Sequence, residues 1–272
     1  MAMQPDDYRF LCQILAEGSG LALGANKEYL VESRLGPVAK MFDAPDIAAL
    51  VARLRASRDR NIERTICEAM TTNESLFFRD GAPFEALKKR VLPVLAKARA
   101  ATRRIRIWSA ASSTGQEAYS ISITRVLESP AIEGYHVEIV GTDLSRSAVE
   151  RAQAGVFSHF EVQRGLPPAL LTRCFTQVPE GWRVNDAFRQ AVTFRQFNLL
   201  HDFSPLGMFD VIFCRNVMIY FDGPTKTDVL GRLAKMMPAD GVLFLGGAES
   251  ILGISDAFTR RGGESTSVYR RR

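Results

Sequence analysis

Charged and amide side chains follow several predicted strands, at the points where those strands end. Asp143 ends HVEIVGTD, Asn198 ends VTFRQFN, and Arg215-Asn216 follow FDVIFC. Because parallel strands end at one edge of a sheet, we expect these groups to share that edge. A carboxylate after the second strand can accept hydrogen bonds from both hydroxyls of a ribose, which favours nucleotide binding. The other reading of Asp143 is a cap of the helix that begins at Ser145.

The stretch Ser109–Gly115 joins the first of these strands to a predicted helix. Such a turn presents backbone N–H groups and the positive end of a helix dipole at the end of a strand. It has one glycine, so it matches neither the G-x-G-x-x-G dinucleotide pattern nor a P-loop. By itself, an ordinary turn between a strand and a helix would explain it as well as a binding loop.

Metal and nucleophile chemistry are not expected from the histidines and cysteines. The histidines are far apart, and no G-x-S-x-G motif is present to hold a catalytic serine. No C-x-x-C pattern occurs, which fits reduced thiols in a cytoplasmic protein. These residues are His136, His159, His201, Cys12, Cys67, Cys174 and Cys214.

The composition is that of a globular protein with one large domain or two moderate ones. The chain has 272 residues, of which 46% are hydrophobic. No apolar run approaches the roughly 20 residues that span a bilayer, and the first residues do not form a signal peptide, so we expect a cytoplasmic location without membrane insertion. A net charge of +5 and an isoelectric point near 9.2 are a mild excess that leaves three alternatives open: nucleic acid, an acidic protein surface, or no particular charged partner.

The hydrophobic periodicity divides the chain into three parts. Residues 1–80 predict a helical N-terminal domain, and 81–103 a linker helix that Asp80 caps and Pro93 kinks. Residues 104–272 alternate between strands and helices, as in an α/β sheet. The last residues of the first part, NESLFFRD, place two phenylalanines among polar groups at the domain junction.

An antiparallel insert is expected at about 165–192, where the helical pattern fails. Thr176–Val178 and Trp182–Val184 flank a turn and predict a hairpin, with Phe188–Val192 as a candidate third strand. The run VTFRQFNL then returns to the main sheet and brings Asn198 to its edge.

Three strings in this order resemble the chemotaxis-receptor methyltransferase family, CheR: TTNESLFFRD, RIWSAASSTGQEAYSI and FDVIFCRNVMIYFD. The resemblance covers nearly the whole chain. It implies a Rossmann-like α/β domain that binds S-adenosylmethionine, with a small antiparallel insert and a preceding all-α domain. It also implies methyl transfer to glutamates on cytoplasmic helices of chemoreceptors, which leaves S-adenosylhomocysteine and needs no metal.

The same resemblance implies which residues form the site. Arg79 and Tyr220 would orient the acceptor carboxylate, although Arg79 could instead pair with Asp80 or Glu74, and Tyr220 could pack in the core. Ser75 stands where many members have threonine and keeps the hydroxyl. The implied cofactor residues are Asn73, Ser75, Arg79, Glu117, Asp143, Asn198, Leu199, Arg215 and Asn216.

Receptor binding is implied for a basic face of the N-terminal domain. Arg34 and Lys40 are the matching positions, with Arg53 nearby, although basic runs on amphipathic helices are often only solvated. The run after Arg34 has fewer arginines than in well-known members.

The turn at Pro179-Glu180 is shorter than the loop that binds a receptor C-terminal peptide in some members, so we expect weak or absent peptide tethering.

The predicted chemistry agrees with the residues present. A glutamate with a pKa near 4.3 is already ionised at neutral pH, so methylation needs no general base. Two alternatives stay open: a methyltransferase of the same fold for another substrate, and a catalytically silent adaptor. Nucleic acid is not favoured as a partner, because aromatic and basic residues do not alternate as on a nucleic-acid face.

Overall fold

The computed structural model describes residues 3–260 and 268–272, except for the side chain of Glu128. The chain forms two compact units. The first contains the chain up to Thr72 together with Tyr220–Lys226, and the second contains Asn73–Ile219 and Thr227–Arg272.

The first unit is built from four helices in its described part: α1 (Pro5–Ser19), α2 (Glu28–Met41), α3 (Ile47–Ser57) and α4 (Arg60–Met70). Their inner faces carry aliphatic residues such as Leu11, Leu35 and Leu54, which are fully buried. Asp46 caps α3 by accepting a hydrogen bond from the backbone N–H of Ala49. Periodicity and capping thus give the helical domain that the sequence predicts.

The segment after the junction is helical but irregular. It comprises α5 (Ala82–Ala86), a π-helical turn (Leu87–Val91) and α6 (Leu92–Ala98). The widened turn ends two residues before Pro93, which cannot donate a backbone hydrogen bond and crowds the preceding turn. The expected cap at Asp80 is wrong: Gly81 occupies the cap position without a side-chain bond, and the Asp80 carboxylate pairs with Arg215 instead.

The second unit contains a mixed main sheet. The strands are β1 (Arg104–Ala110), β2 (His136–Asp143), β3 (Val156–Phe157), β4 (Phe175–Val178), β5 (Gly181–Val184), β6 (Val192–Gln196), β7 (Val211–Cys214), β8 (Val242–Phe244), β9 (Phe258–Arg260) and β10 (Val268–Arg271). Within the described residues, seven of them form the main sheet in the order β6-β2-β1-β7-β8-β10-β9. The first five strands in this order, β6, β2, β1, β7 and β8, are parallel, whereas β10 pairs antiparallel with β8 and β9.

Helices connect and cover these strands: α7 (Gln116–Glu128), α8 (Arg146–Ala154), α9 (His159–Gln163), α10 (Pro168–Cys174), α11 (Asp186–Arg189) and α12 (Gly223–Lys235). The buried strands have apolar side chains on both faces, because a parallel sheet is covered on both sides. Trp108 of β1, for example, stacks on Phe209 with ring centroids 5.4 Å apart.

The small antiparallel sheet has the order β3-β5-β4. The hairpin of β4 and β5 confirms the expected antiparallel insert, but the candidate strand Phe188–Val192 is wrong. Asp186–Arg189 forms the helical turn α11, which buries Phe188, and Val192 begins β6 of the main sheet. The third strand is β3, which pairs with β5 across a long sequence separation and has only two residues, too few to show an alternating pattern.

Within the described residues, no helix combines the length and the apolar character that crossing a bilayer requires.

Candidate active site

The loop between β1 and α7 turns tightly through left-handed backbone conformations. Ala111, Ser113 and Gly115 have φ angles of 57°, 50° and 98°. A Cβ atom at Gly115 would lie 3.0 Å from the Cβ of Ala152 and 3.1 Å from the ring of Phe194. Glycine is therefore required at this one position, which explains how a loop with a single glycine can direct α7 away from β1.

Asp143, the last residue of β2, is 6% exposed and anchors this loop. Its Oδ2 accepts a hydrogen bond from the backbone N–H of Ser113 (2.8 Å), and its Oδ1 accepts one from that of Ser145 (2.9 Å). The cap of α8 is Ser145, whose hydroxyl accepts from the backbone N–H of Ala148. The N-cap residue of α8 is thus Ser145, and the carboxylate of Asp143 lies at the edge where β1 and β2 end.

Arg215 follows β7 and joins three segments at the same edge. Its Nη1 donates to Oε2 of Glu117 (2.9 Å), and its Nη2 donates to Oδ2 of Asp80 (2.7 Å) and to the carbonyl oxygen of Arg79 (3.0 Å). The Arg215 side chain is 1% exposed and that of Glu117 is 12% exposed. The second oxygen of Glu117 accepts from the hydroxyl of Ser109 (2.8 Å). A buried charge needs such partners, because its desolvation is otherwise uncompensated.

One nitrogen atom of the Arg215 guanidinium makes no hydrogen bond within the described part of the chain. This atom is Nε, which is buried. An unpaired buried donor costs about 1–3 kcal/mol, so an acceptor atom of a ligand would be stabilised at this point.

The junction segment is anchored by one of its phenylalanines. Phe77 is fully buried and packs edge-on against Phe157 (4.9 Å between ring centroids) and Phe175 (5.4 Å). The hydroxyl of Ser113 donates to the carbonyl oxygen of Asn73 (2.7 Å). Asn73, together with the half-buried Ser75, thus lies in a segment fixed to the loop after β1.

Arg79 is half-buried in the same segment. The carboxylates of Glu74 and Asp80 pair with Arg164 (2.6 Å) and Arg215 (2.7 Å), so neither of the alternative ion pairs with Arg79 is formed. Across the described ranges, the guanidinium of Arg79 makes no ion pair within 4 Å.

Asn198 and Leu199 follow β6, the outermost of the parallel strands, at the same edge. Oδ1 of Asn198 accepts from the backbone N–H of Leu200 (2.9 Å), and Leu199 is buried. Arg232 of α12 donates to the carbonyl oxygens of Leu199 (2.8 Å) and His201 (2.6 Å). Arg232 was not predicted from the sequence, because a single arginine on an amphipathic helix does not indicate that its side chain binds a loop far away in the chain.

Asn216 has a left-handed backbone, with φ of 58°. Its N–H donates to Oε2 of Glu249 (2.8 Å), a buried residue in the loop after β8. Glu249 was not predicted from the sequence either, although the position of its loop after a parallel strand is a signal that could have indicated it.

The remaining predicted residues belong to the first unit. Tyr220 lies in a single 3₁₀ turn, and its carbonyl oxygen accepts from the backbone N–H of Ala22 (2.8 Å). The structure therefore groups Tyr220 with the helical unit and Arg79 with the sheet unit. Lys40 is exposed on α2.

Arg34 and Arg53 both donate to backbone carbonyls within the helical unit. Nη1 of Arg34 bonds the carbonyl oxygens of Met70 (2.5 Å) and Thr71 (3.0 Å) at the end of α4. Nη1 of Arg53 bonds that of Phe42 (3.0 Å). Both arginines therefore have a structural partner in addition to any surface role.

Among the described residues, no group of three or more histidine, cysteine, aspartate or glutamate side chains is placed to hold a metal ion.

Two family profiles match the chain. The one described as "CheR methyltransferase, all-alpha domain" matches residues 6–71, and the one described as "CheR methyltransferase, SAM binding domain" matches residues 73–266. The chain belongs to the CheR methyltransferase family. The predicted family and fold class, with an all-α domain before the cofactor-binding domain, are thereby confirmed.

Curated relatives agree with this family. Chemotaxis protein methyltransferase 1 of Pseudomonas aeruginosa is 41% identical over 263 residues, covering 93% of each chain. Chemotaxis protein methyltransferase 1 of Vibrio cholerae is 38% identical over 261 residues, covering 95% of this chain and 94% of that protein. Chemotaxis protein methyltransferase of Salmonella typhimurium is 32% identical over 268 residues, covering 96% of this chain and 90% of that protein. As a CheR member, the chain is a chemotaxis methyltransferase that uses S-adenosylmethionine.

Proposed function

We propose that this CheR methyltransferase converts glutamate side chains on the cytoplasmic helices of chemoreceptors into methyl esters. S-adenosylmethionine supplies a methyl group on a cationic sulfur and leaves as S-adenosylhomocysteine. A cytoplasmic location is part of the proposal, because the acceptor helices would be there.

The observation that carries this proposal is the cluster around Arg215. One buried guanidinium draws Glu117, Asp80 and the Arg79 carbonyl to the edge at which Asp143 ends β2. This combination of carboxylates and a guanidinium suits the cofactor, whose ammonium and sulfonium groups need negative neighbours and whose carboxylate needs hydrogen-bond donors.

Each predicted cofactor residue has a specific task in the proposal. Each oxygen of Glu117 accepts one hydrogen bond, which leaves lone pairs for the cofactor's ammonium group. Asp143 would accept from the ribose hydroxyls, and the unpaired Nε of Arg215 would donate to an acceptor atom of the cofactor. The full set is Asn73, Ser75, Arg79, Glu117, Asp143, Asn198, Leu199, Arg215 and Asn216.

The protein's catalytic work would be alignment. Since the acceptor glutamate is ionised at neutral pH, no residue needs to remove a proton. Alignment of the acceptor oxygen with the methyl carbon and the sulfur can lower the barrier by about 7–11 kcal/mol. Arg79, whose guanidinium has no ion pair among the described residues, would hold the acceptor carboxylate, and Tyr220 is the second candidate for this role.

Receptor binding would use the basic helical unit. Lys40 is exposed and available to an acidic helix, whereas Arg34 and Arg53 would use donors not occupied by backbone carbonyls.

The hairpin of β4 and β5 has a tight turn, since Val178 pairs directly with Gly181. This short turn supports weak or absent tethering to a receptor C-terminal peptide.

Two measurements on the purified protein test the proposal. Calorimetric titration with S-adenosylmethionine should show one-site binding, which a silent adaptor would lack. Incubation with labelled cofactor and purified receptor cytoplasmic fragments should then label the fragments. Binding without receptor labelling would point to another substrate and contradict the proposal.

A further inference from the structure

Glu249 is a buried carboxylate at the edge where the parallel strands β7 and β8 end. It is 6% exposed. Its Oε2 accepts hydrogen bonds from the backbone N–H groups of Gly246 (2.6 Å) and Asn216 (2.8 Å), and its Oε1 accepts from that of Ile219 (3.3 Å). One side chain therefore binds the loop after β8 to both ends of the segment 216–219.

This carboxylate makes no ion pair with any cation of the described chain. The nearest basic residue in sequence to this segment, Arg215, gives its hydrogen bonds to Glu117, Asp80 and the Arg79 carbonyl. Burial and the nearby carboxylates of Glu249 and Glu117 raise the pKa of the Cys214 thiol well above its ordinary value. The negative charges of Glu117 and Glu249 thus both affect the Cys214 thiol, and within the described ranges Glu117 is the one of the two that has a cationic partner.

The segment that Glu249 binds is conformationally demanding. Asn216 has φ of 58°, a left-handed conformation that costs an ordinary residue free energy and persists only where its surroundings impose it. Gly246 leaves the necessary room: a Cβ there would lie 2.8 Å from both Nδ2 of Asn216 and Oε2 of Glu249. The Glu249 hydrogen bonds and the missing side chain of Gly246 together define where Asn216 lies.

We infer that Glu249 is a positioning residue, which holds Asn216 in the orientation that the cofactor site requires. It does so through three backbone amides, without touching the cofactor itself. The inference rests on the proposed function, because Asn216 is a cofactor residue in that proposal.

The test disturbs this contact from both sides. Glu249→Gln keeps the shape of the side chain but turns one acceptor oxygen into a donor that faces N–H groups. Gly246→Ala keeps the charge and pushes Asn216 away. Gly247→Ala is the matched control, because a Cβ at Gly247 would meet no atom within 4 Å. For each variant, the affinity for S-adenosylmethionine is measured by calorimetry, the kcat and KM by methyl transfer, and the Tm by thermal unfolding.

Glu249→Gln and Gly246→Ala should each raise the Kd and KM for S-adenosylmethionine about tenfold, equivalent to about 1.4 kcal/mol, while Gly247→Ala stays within twofold of the wild type. A purely structural role would lower the Tm of both variants and leave the Kd of the folded protein unchanged, which would overturn the inference. If Glu249→Gln does not fold, Gly246→Ala decides alone. Failure of the wild-type protein to bind the cofactor would instead refute the proposed function.

Discussion

Arg215 and Glu117 are 98 residues apart in sequence and form a 2.9 Å ion pair at the edge of the sheet. The pair joins the end of β7 to the first turn of α7. Because Arg215 also bonds Asp80 and the Arg79 carbonyl, the orientation of Glu117 and the position of the junction segment depend on the same side chain.

Replacement of Arg215 should therefore affect stability and binding together. Arg215→Met leaves Glu117 as a buried, unpaired carboxylate, which typically costs about 3–5 kcal/mol of unfolding free energy. Adding Glu117→Gln should recover most of that stability but not the affinity for S-adenosylmethionine. Urea unfolding and calorimetry measure both quantities. A double variant no more stable than Arg215→Met would contradict this account.

Arg146→Ala is the control for loss of an ion pair. It breaks an exposed pair with Glu150 and should change the free energy of unfolding by about 0.5 kcal/mol at most.

Arg232 should matter through the loop that it holds. Arg232→Gln removes the donors to the carbonyl oxygens of Leu199 and His201, so this loop should become less ordered and the Kd for S-adenosylmethionine should rise about tenfold, or about 1.4 kcal/mol. Asp228→Asn is the control, because it removes the ion pair to Arg232 and leaves the Arg232 donors in place. The side chain of Asp228 is 64% exposed. Equal Kd values for the two variants would argue against a positioning role.

Gly115 tests the loop geometry. Gly115→Ala adds a Cβ at φ 98° against Ala152 and Phe194, which should lower the unfolding free energy by about 1–3 kcal/mol and weaken cofactor binding. Gly231→Ala, inside α12 with no atom within 4 Å of the new Cβ, should instead stabilise the protein by about 1 kcal/mol. Thermal unfolding of both variants measures the contrast, and a neutral Gly115→Ala would disprove the steric requirement.

Two ion pairs predict how stability depends on pH. The hydrogen bond from Arg99 lowers the pKa of Asp240, and that from Arg106 lowers the pKa of Glu138. A carboxylate with a lowered folded-state pKa stabilises the fold above its unfolded pKa, near 4, and this contribution is lost as the pH falls through the folded value. Asp240→Asn should therefore destabilise the protein at pH 7 and progressively less below about pH 4. Because Asp240 is 38% exposed, the difference at pH 7 should be about 1 kcal/mol or less in urea unfolding. A difference that grew on acidification would contradict the assignment.

The sequence predicted those parts of the site that depend on local order along the chain. Asp143 and Arg215 lie at the ends of strands that their apolar runs make recognisable, and parallel strands bring these ends to one edge, whereas Glu117 was assigned through the resemblance to CheR. The positions of Asp143 and Arg215 could therefore be inferred from the order of the residues alone.

The partners of those residues could not be predicted in the same way. Asp80 pairs with Arg215 across 135 residues, and Glu249 binds Asn216 across 33. Asp80 has the local pattern of a helix cap, and the position of Glu249 after a strand does not indicate which residue it binds. The short strand β3 was missed for the same reason: only its pairing with β5 makes Val156–Phe157 a strand.

The most direct test of the central claim is the chemical nature of the transferred methyl group. Receptor cytoplasmic fragments labelled by this protein from S-adenosylmethionine are treated with mild base, and volatile methanol is measured. The account predicts that the label is released as methanol, since glutamyl methyl esters hydrolyse under these conditions, and that peptide mapping places it on glutamates. Label that stays on the fragments after base treatment would mean an amide or ether linkage and would contradict the account.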